Sequence, residues 1–448
     1  MDRSSRGPLE IAVIGQGISG MAAAWLLSQS HRVTVYEAED RLGGHSHTVQ
    51  AGPTPVDMGF IVYNELNYPN LVQLFRHLGV PTRRSEMSFA VSLDDGALEY
   101  GANTLASLFA QPSNLVSRRF WTMLRDIMKF YRHAPTYACA LGEATLGDYL
   151  GAHGYGSAFQ EDHLLPQAAA IWSAPCAAIR DYPAEAFIRF CQNHGLLQVF
   201  GRPVWRTVEG GSRAYVERLT ARYGDRVRRG APVRAVRRTS QGVVVQDAEG
   251  GQDRFDHVVI AAHADQALRM LAAPTAAERQ VLGAFRYTKN HAVLHTDARL
   301  MPHRRAAWSS WNYLGRRSGE GTDRDLCVTY WMNRLQGLTD PRQLFVTLNP
   351  VRTPAPGSIL RSEIYEHPLF DGAAIAAQPK LWSLQGEGGV WFCGAYFGSG
   401  FHEDGLQAGL ATAEALGGVR RPWRIPAESG RIHIGPPPAA PRELETIP

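Results

Sequence analysis

Glu10-Ile-Ala-Val-Ile-Gly-Gln-Gly-Ile-Ser-Gly-Met-Ala-Ala-Ala-Trp-Leu-Leu27 is the stretch that decides the fold. Glu10 to Ile14 is short, apolar and rich in β-branched residues, the pattern of a strand buried in a parallel sheet. It runs directly into Gly15-Gln-Gly17-Ile18-Ser19-Gly20 and then into a strong helix former from Met21 to Leu27. Arg32-Val-Thr-Val-Tyr36 reads as a second strand, and it ends at Glu37, 22 positions after Gly15. Gly15 permits the tight turn, Gly17 lets the backbone approach a pyrophosphate, and Gly20 lets helix and strand pack closely. The helix N-terminus offers unpaired N–H groups and a partial positive charge to phosphates. Glu37 stands where a carboxylate meets a ribose 2′-hydroxyl, which argues against a 2′-phosphate and hence against NADP. Strand, turn, helix, second strand and acid together make a dinucleotide fold the expectation.

The rest of the chain sets bounds on that reading. Its 448 residues carry 46 Lys+Arg against 42 Asp+Glu, and 44% are hydrophobic. Such a composition excludes a disordered chain, a collagen-like repeat and a coiled coil, and the length suggests two or three domains. A net charge of +4 is too small to argue for nucleic acid as a partner. Cys139, Cys176, Cys191, Cys327 and Cys393 are widely spaced without a C-x-x-C, so neither a disulfide framework nor a zinc site is expected. The sixteen histidines form no tight ligand cluster in sequence, and no metal is implied. Ile11 to Ser30 has no charged residue, but Gly15, Gly17 and Gly20 interrupt it, so it is neither a signal peptide nor a membrane span. The expectation is a soluble, cytoplasmic protein.

A second glycine pair follows Glu37, in Ala38-Glu-Asp-Arg41-Leu-Gly43-Gly44-His45-Ser-His47. It suits a cofactor longer than NAD whose pyrophosphate is met by another loop. This run resembles the FAD-binding start of the flavin amine oxidase and phytoene desaturase superfamily. Near the other end, Gly389-Val-Trp-Phe-Cys393-Gly394-Ala395 leads to Ser399-Gly400-Phe401-His402-Glu403-Asp404-Gly405, with Gly409 beyond. That segment resembles the superfamily's C-terminal flavin-binding motif, whose helix start cradles the pyrimidine end of the flavin. The resemblance implies FAD held by Gly15, Gly17, Ile18, Ser19, Gly20, Glu37, Ala38, Arg41, Gly43, Gly44 and His45 at one end. It adds Gly394, Ala395, Gly400, Phe401, His402 and Gly405 at the other, with Val233 at the adenine. Ala395 departs from the acidic or polar residue common in the family, and Glu403 or Asp404 is the expected substitute.

The implied architecture is α/β: a Rossmann-like FAD-binding domain, a parallel sheet plus β-meander, with an inserted α+β substrate domain. The topology is amine-oxidase-like, the two-domain arrangement also of p-hydroxybenzoate hydroxylase. Alternating apolar runs between Arg228 and Ala262 suggest the meander and a return strand. The expected FAD domain is discontinuous, at 1–90, 204–280 and 386–418. Residues 91–203 and 281–385 would form the substrate domain, and 419–448 a loose Pro-rich tail. No second G-x-G-x-x-G occurs, so reoxidation by oxygen, a quinone or another carrier is expected rather than by NADPH.

Asp57 to Asn64, Tyr68-Pro-Asn70, Ala170 to Ser173, Asn193 to Leu197, Trp308 to Asn312 and Gly400 to Gly405 resemble one branch more closely. It comprises predicted NAD/FAD-binding proteins associated with cyclopropane-synthase-like lipid methyltransferases, some acting in furan fatty acid formation. The resemblance implies desaturation of a modified phospholipid acyl chain by hydride transfer to the flavin, with a lipid methyltransferase as partner. The alternatives are an amine oxidase releasing peroxide and a flavin-bearing protein without turnover. The family lysine that holds a water near the flavin aligns with His291, with Lys289 two residues away, and a cage tyrosine aligns with Phe401. His291, His402, Glu403 and Tyr63 are the candidate bases, each with a structural hydrogen bond as its alternative. His45 and His47 read as phosphate or loop contacts, and His194 as a core histidine.

Leu115 to Ala134 carries five basic residues against Asp126. As a helix it places Arg118, Arg125, Lys129 and Arg132 on one side and Phe120, Leu124, Ile127, Met128 and Tyr131 on the other. Two readings stand: a helix lying on the anionic inner face of a membrane, or a cap burying its apolar stripe.

Overall fold

The computed structural model describes residues 7–137, 144–172, 179–193, 195–198, 201–316 and 327–435. His194, Cys139 and Cys176 lie outside them; Cys191, Cys327 and Cys393 are buried free thiols.

Glu10–Ile14 is the central strand of a five-stranded parallel sheet. Arg32–Tyr36 and then Val227–Arg228 lie on one side; His257–Ile260 and Val390–Phe392 lie on the other. Strands buried on both faces need apolar residues throughout, and Ile11, Val13, Val33, Val35, Val258 and Val259 are all at 0% exposure. The Ile18–Leu27 helix crosses one face, and His402–Gly417 packs beside it. That contact is glycine-dependent. A Cβ on Gly20 would stand 1.9 Å from the Gly15 carbonyl oxygen, and one on Gly409 would stand 2.2 Å from that of Ser19. Val233–Thr239, Gly242–Asp247 and Gln252–Phe255 form the antiparallel meander, and His257–Ile260 is the return strand.

A seven-stranded sheet stands opposite, in the order Ile359–Leu369, Arg286–His295, Phe345–Leu348, Cys327–Trp331, Trp311–Gly315, Phe89–Leu93, Leu98–Gly101. Helices Arg118–Tyr137, Leu146–Ala152, Leu165–Trp172 and Ala184–Asn193 build a layer with its own core around Phe130, Phe159 and Phe187. Among the described residues no helix is long and apolar enough to cross a membrane.

Two expectations are corrected here. The chain after residue 418 does not hang loose: up to Gly435 it packs against the dinucleotide half. Trp423 stacks on Trp25 with ring centroids 5.9 Å apart. Arg421, 2% exposed, makes paired 2.8 Å bonds to Glu414 and donates to Asn70 Oδ1 at 2.9 Å. A buried aromatic and a buried ion pair outweigh the prolines around them. The Arg118–Tyr137 helix, in turn, sits in a different rotation. Phe120, Met123, Phe130 and Ala134 are buried, whereas Met128 is 56% exposed. Lys129 turns inward, its Nζ 2.7 Å from the His153 carbonyl and over the Tyr155 ring.

Candidate active site

One continuous cavity of about 820 Å³ runs from the C-terminal edge of the parallel sheet to the helical layer. At its dinucleotide end Gly15 adopts φ +94, and its Cβ position lies 2.7 Å from the Ala261 carbonyl oxygen, so the turn admits only glycine. A Cβ on Gly17 would meet nothing, which leaves the helix N-terminus open to the cavity beside Ile18 and Ser19. Glu37 lies on the cavity wall. Its Oε2 accepts from the Gln16 N–H at 2.7 Å and its Oε1 from the Glu39 N–H at 3.0 Å, while burial pushes its carboxyl up. Ala38, Gly43, Gly44 and Val233 complete this wall.

The middle of the cavity is ringed by imidazoles. His45 Nε2 is buried without a hydrogen-bond partner. Its ring lies 5.2 Å from Tyr365 and 5.4 Å from His367, and burial pushes it well below the ordinary range. His367, held by Asn290 Nδ2 at 2.9 Å, is pushed down to about 4 by burial. His402 stacks on Phe60 at 3.9 Å, its Nε2 2.7 Å from the Tyr215 hydroxyl, and burial pushes it down to about 3. All three are neutral at pH 7. Gly394, Ala395, Gly400 and Phe401 close this part from the His402 side.

The far end is a chamber between sheet and helices, walled by Ile61, Phe89, Ala170, Ile171, Phe190 and Leu348 among others. Phe190 stacks on Phe401 at 5.1 Å, which joins chamber to cofactor end. His163 sits in a π-helical turn, Gln160–Leu164, a device that re-aims side chains. The Tyr100 hydroxyl donates to the Asp162 carbonyl at 2.8 Å and so accepts from His163 Nδ1 at 3.0 Å. His163 Nε2 is then a lone-pair acceptor, and it has no partner. Burial pushes His163 down to about 4. Arg202, exposed, marks where the chamber meets solvent.

Several expected site residues lie elsewhere. Gly20 and Gly405 do not line the cavity; they are packing contacts, and a Cβ on Gly405 would stand 2.8 Å from Ile18. Arg41 donates to the Gly44 carbonyl at 2.6 Å and shapes the loop from outside. Of the four candidate bases only His402 reaches the cavity. Glu403 is fully buried beneath it, accepting from the N–H groups of Asn70 and Leu71, each at 3.0 Å. It caps the Pro69–His77 helix. Asp404 likewise caps its own helix through the Phe401 N–H at 2.8 Å. Tyr63 is a core residue, edge-on to Tyr68 and Phe75. His291 and Lys289 share a strand face, as their spacing requires, but it is the outer one: His291 is exposed and bonds Ser362 at 2.6 Å. Asn290, with the opposite phase, holds His367. His47 lies behind the wall, 2.8 Å from the Tyr365 hydroxyl. Sequence reasoning missed His163, His367 and Tyr365; the alternation in Ile359–Leu369 was the signal available for the last two.

The fit to a flavin dinucleotide rests on the open helix N-terminus beside Gly17, a glycine cradle, a ribose-side carboxylate and the unpartnered His45 Nε2. The family model for flavin containing amine oxidoreductases matches residues 18–337. The chain belongs to that family. This flavoenzyme is therefore an FAD-dependent oxidoreductase. It is 38% identical over 102 residues to polyamine oxidase 5 of Oryza sativa subsp. japonica, covering 22% of this chain and 21% of that one. A coproporphyrinogen III oxidase of Mycobacterium bovis is 26% identical over 303 residues, 62% of this chain and 65% of that protein. The matches to the curated oxidases thus span from about a fifth to just under two thirds of those proteins. Two solved structures share the flavoenzyme's fold. They are a CLA-producing fatty acid isomerase from P. acnes (TM-score 0.65, 15% identity, 90% of this chain and 97% of that) and cyclohexylamine oxidase from Brevibacterium oxydans (0.63, 18%, 92% and 99%). Among the described residues no group of three His, Cys, Asp or Glu is placed to hold a metal.

Proposed function

We propose that this flavoenzyme dehydrogenates an apolar, acyl-type substrate, a modified fatty acyl chain of a lipid, rather than a di- or polyamine. The observation that carries this is the character of the chamber. Its described walls are mainly aliphatic and aromatic, with Ser88, His163, Gln167 and Arg202 among them, and they contain no carboxylate. The acids along the whole cavity are Glu37, at the ribose end, and Glu366, 3.4 Å from His263 beside the dinucleotide turn. An ammonium group entering the chamber would lose its hydration without gaining a counter-ion, which costs several kcal/mol. An alkyl chain gains about 0.8 kcal/mol for each methylene it buries there. A fatty acid isomerase in the same fold is a further support for an acyl occupant.

Desaturation breaks two C–H bonds, one losing hydride and the other a proton, and forms a C=C bond. FAD, when bound, supplies the two-electron acceptor for the hydride. The aliphatic walls orient the chain and exclude water. Neutral His402 fixes Phe60 through their stack. We assign the proton to His163, which lines the chamber and whose Nε2 is buried without a hydrogen-bond partner. Methylated acyl chains of the kind a lipid methyltransferase makes are the substrates to try first.

The test is anaerobic mixing of the FAD-loaded protein with fractionated membrane lipids and with an amine panel, followed by flavin absorbance. Bleaching by a lipid fraction, with an unsaturated product by mass spectrometry, is expected. Bleaching by amines alone, or by nothing, overturns the reading.

A further inference from the structure

The Arg118–Tyr137 helix packs one side into the molecule and leaves the other without a partner among the described residues. Arg118, Trp121, Arg125, Met128 and Arg132 recur at intervals of three and four and therefore form one stripe. Trp121 is 50% exposed and Met128 56%, and the three arginines are exposed as well. The stripe alternates guanidinium and apolar side chains along roughly 20 Å of helix. Its apolar part continues into the preceding turn. The Trp121 indole donates to the Leu115 carbonyl at 2.9 Å, beside exposed Leu115 (53%) and Val116 (84%). Phe109, 5.8 Å from the Trp121 ring, ties in the short helix carrying Leu105, 76% exposed. Five of the eleven exposed large apolar side chains among the described residues thus fall between residues 105 and 128, so the patch is not scattered surface.

The charges of this face are of one sign. Arg119, off the stripe, is taken up by Asp162 and Glu161, and Lys129 points inward. Asp126, the acid of the helix, is buried; it receives the Gly156 N–H at 3.0 Å and pairs with Arg125, whose Nε and Nη2 both donate to its Oδ1 at 3.1 Å. Among the described residues no carboxylate pairs with Arg118 or Arg132.

We propose that this face docks on an anionic phospholipid bilayer. Leucine, valine, tryptophan and methionine tips enter the boundary of headgroups and acyl chains, while the arginine stems hold their guanidiniums at the phosphate level. A bilayer meets both requirements along a straight line, which is what the stripe presents. Tyr131, on the inward side of the same helix, lines the cavity, so docking face and chamber are two sides of one helix. The proposal does not depend on the acyl reading of the chamber.

The test is co-sedimentation of the FAD-loaded full chain with vesicles of phosphatidylcholine alone or mixed with phosphatidylglycerol, at low and physiological salt. Binding only to the anionic vesicles, weakened by salt, is expected, with about fivefold lost per arginine neutralised and more per arginine reversed. R118E/R125E/R132E should abolish it, and W121S/M128S should weaken it at either salt. An unchanged flavin spectrum and melting temperature show that these surface variants are folded. Turnover of detergent-dispersed lipid reads the flavin chemistry separately, and the charge-reversal variant should retain it. Wild-type protein that ignores anionic vesicles, or a triple variant that still binds them, overturns the proposal. So does self-association that the same substitutions abolish without any vesicle binding, which would give the face to a second copy.

Discussion

Replacing Glu403 by glutamine separates a catalytic from an architectural role for the most conspicuous acid near the cofactor end. Four donors converge on this carboxylate. Oε1 takes the Asn70 N–H at 3.0 Å, Asn70 Nδ2 at 2.8 Å and Gln407 Nε2 at 3.0 Å; Oε2 takes the Leu71 N–H at 3.0 Å. Burial pushes the carboxyl up, but a site made only of donors is built for the acceptor form. Glutamine keeps one acceptor oxygen, so three bonds survive at the Oε1 position and the Leu71 N–H faces an amide NH₂. A buried donor left unsatisfied costs about 1–3 kcal/mol. Alanine strands all four donors and should cost several times more, a large part of the 5–15 kcal/mol typical of a domain. Melting followed by flavin absorbance should show E403Q lowered by roughly 5 °C and E403A failing to hold FAD. Folded, FAD-loaded E403Q should still reduce its flavin within about threefold of the parent rate. An E403Q protein with unchanged melting and flavin content but a reduction rate down by about 10²-fold would restore the general-base role and refute the cap.

Acid should destabilise the protein in a defined window. His163 and His367 are held near 4 and His402 near 3, against 6.5 for an ordinary histidine. Their stabilising effect is full above 6.5 and is lost as pH falls toward 4, at up to about 1.4 kcal/mol per pH unit for each. A melting temperature flat from pH 7 to 5 would contradict this. H291A and K289M, on the outer strand face, should leave flavin reduction unchanged in stopped-flow traces. H45A should weaken FAD binding about tenfold in reconstitution titrations, because a side chain of the cavity wall is lost while the fold is kept. R421M, which strips half-buried Glu414 of both 2.8 Å bonds and leaves it only exposed Arg420 as a cation, at 2.9 Å, should cost about 1–3 kcal/mol in denaturant unfolding.

The dinucleotide half was legible because its constraints are local. Gly15, Gly17 and Glu37 work through a single strand-turn-helix, and their spacing is the signal. The candidate bases were not legible, because their roles depend on where a face points. His291 and Asn290 are adjacent in one strand, yet the pleat sends one to solvent and the other to His367. Glu403 follows His402 directly, and one step along the helix turns it from the cavity wall to the cap of another helix. The chamber was invisible for a related reason: Ile61, Phe89, Ala170 and Leu348 come from four separate segments, and nothing in any one of them marks it as a wall.

The glycines of the two flavin motifs divide by what they do. Gly17 and Gly400 face the cavity, and bulk there would meet the cofactor or its wall. Gly20, Gly405 and Gly409 never touch the cavity, yet they set it. Gly20 lets the Ile18–Leu27 helix sit down on the turn at Gly15; Gly405 and Gly409 let the His402–Gly417 helix lie against Ile18 and Ser19. Two helices that approach this closely bring their first turns to one cavity, and the His402–Gly417 helix carries Glu403 and Asp404 in its own. The Ile18–Leu27 helix has no acid in its first turn, and its N-terminal N–H groups would serve an anionic part of a bound cofactor. The small residues Gly405 and Gly409 near the far end of the chain thus bear on the cavity through packing rather than contact. They hold the start of one helix against the start of the other.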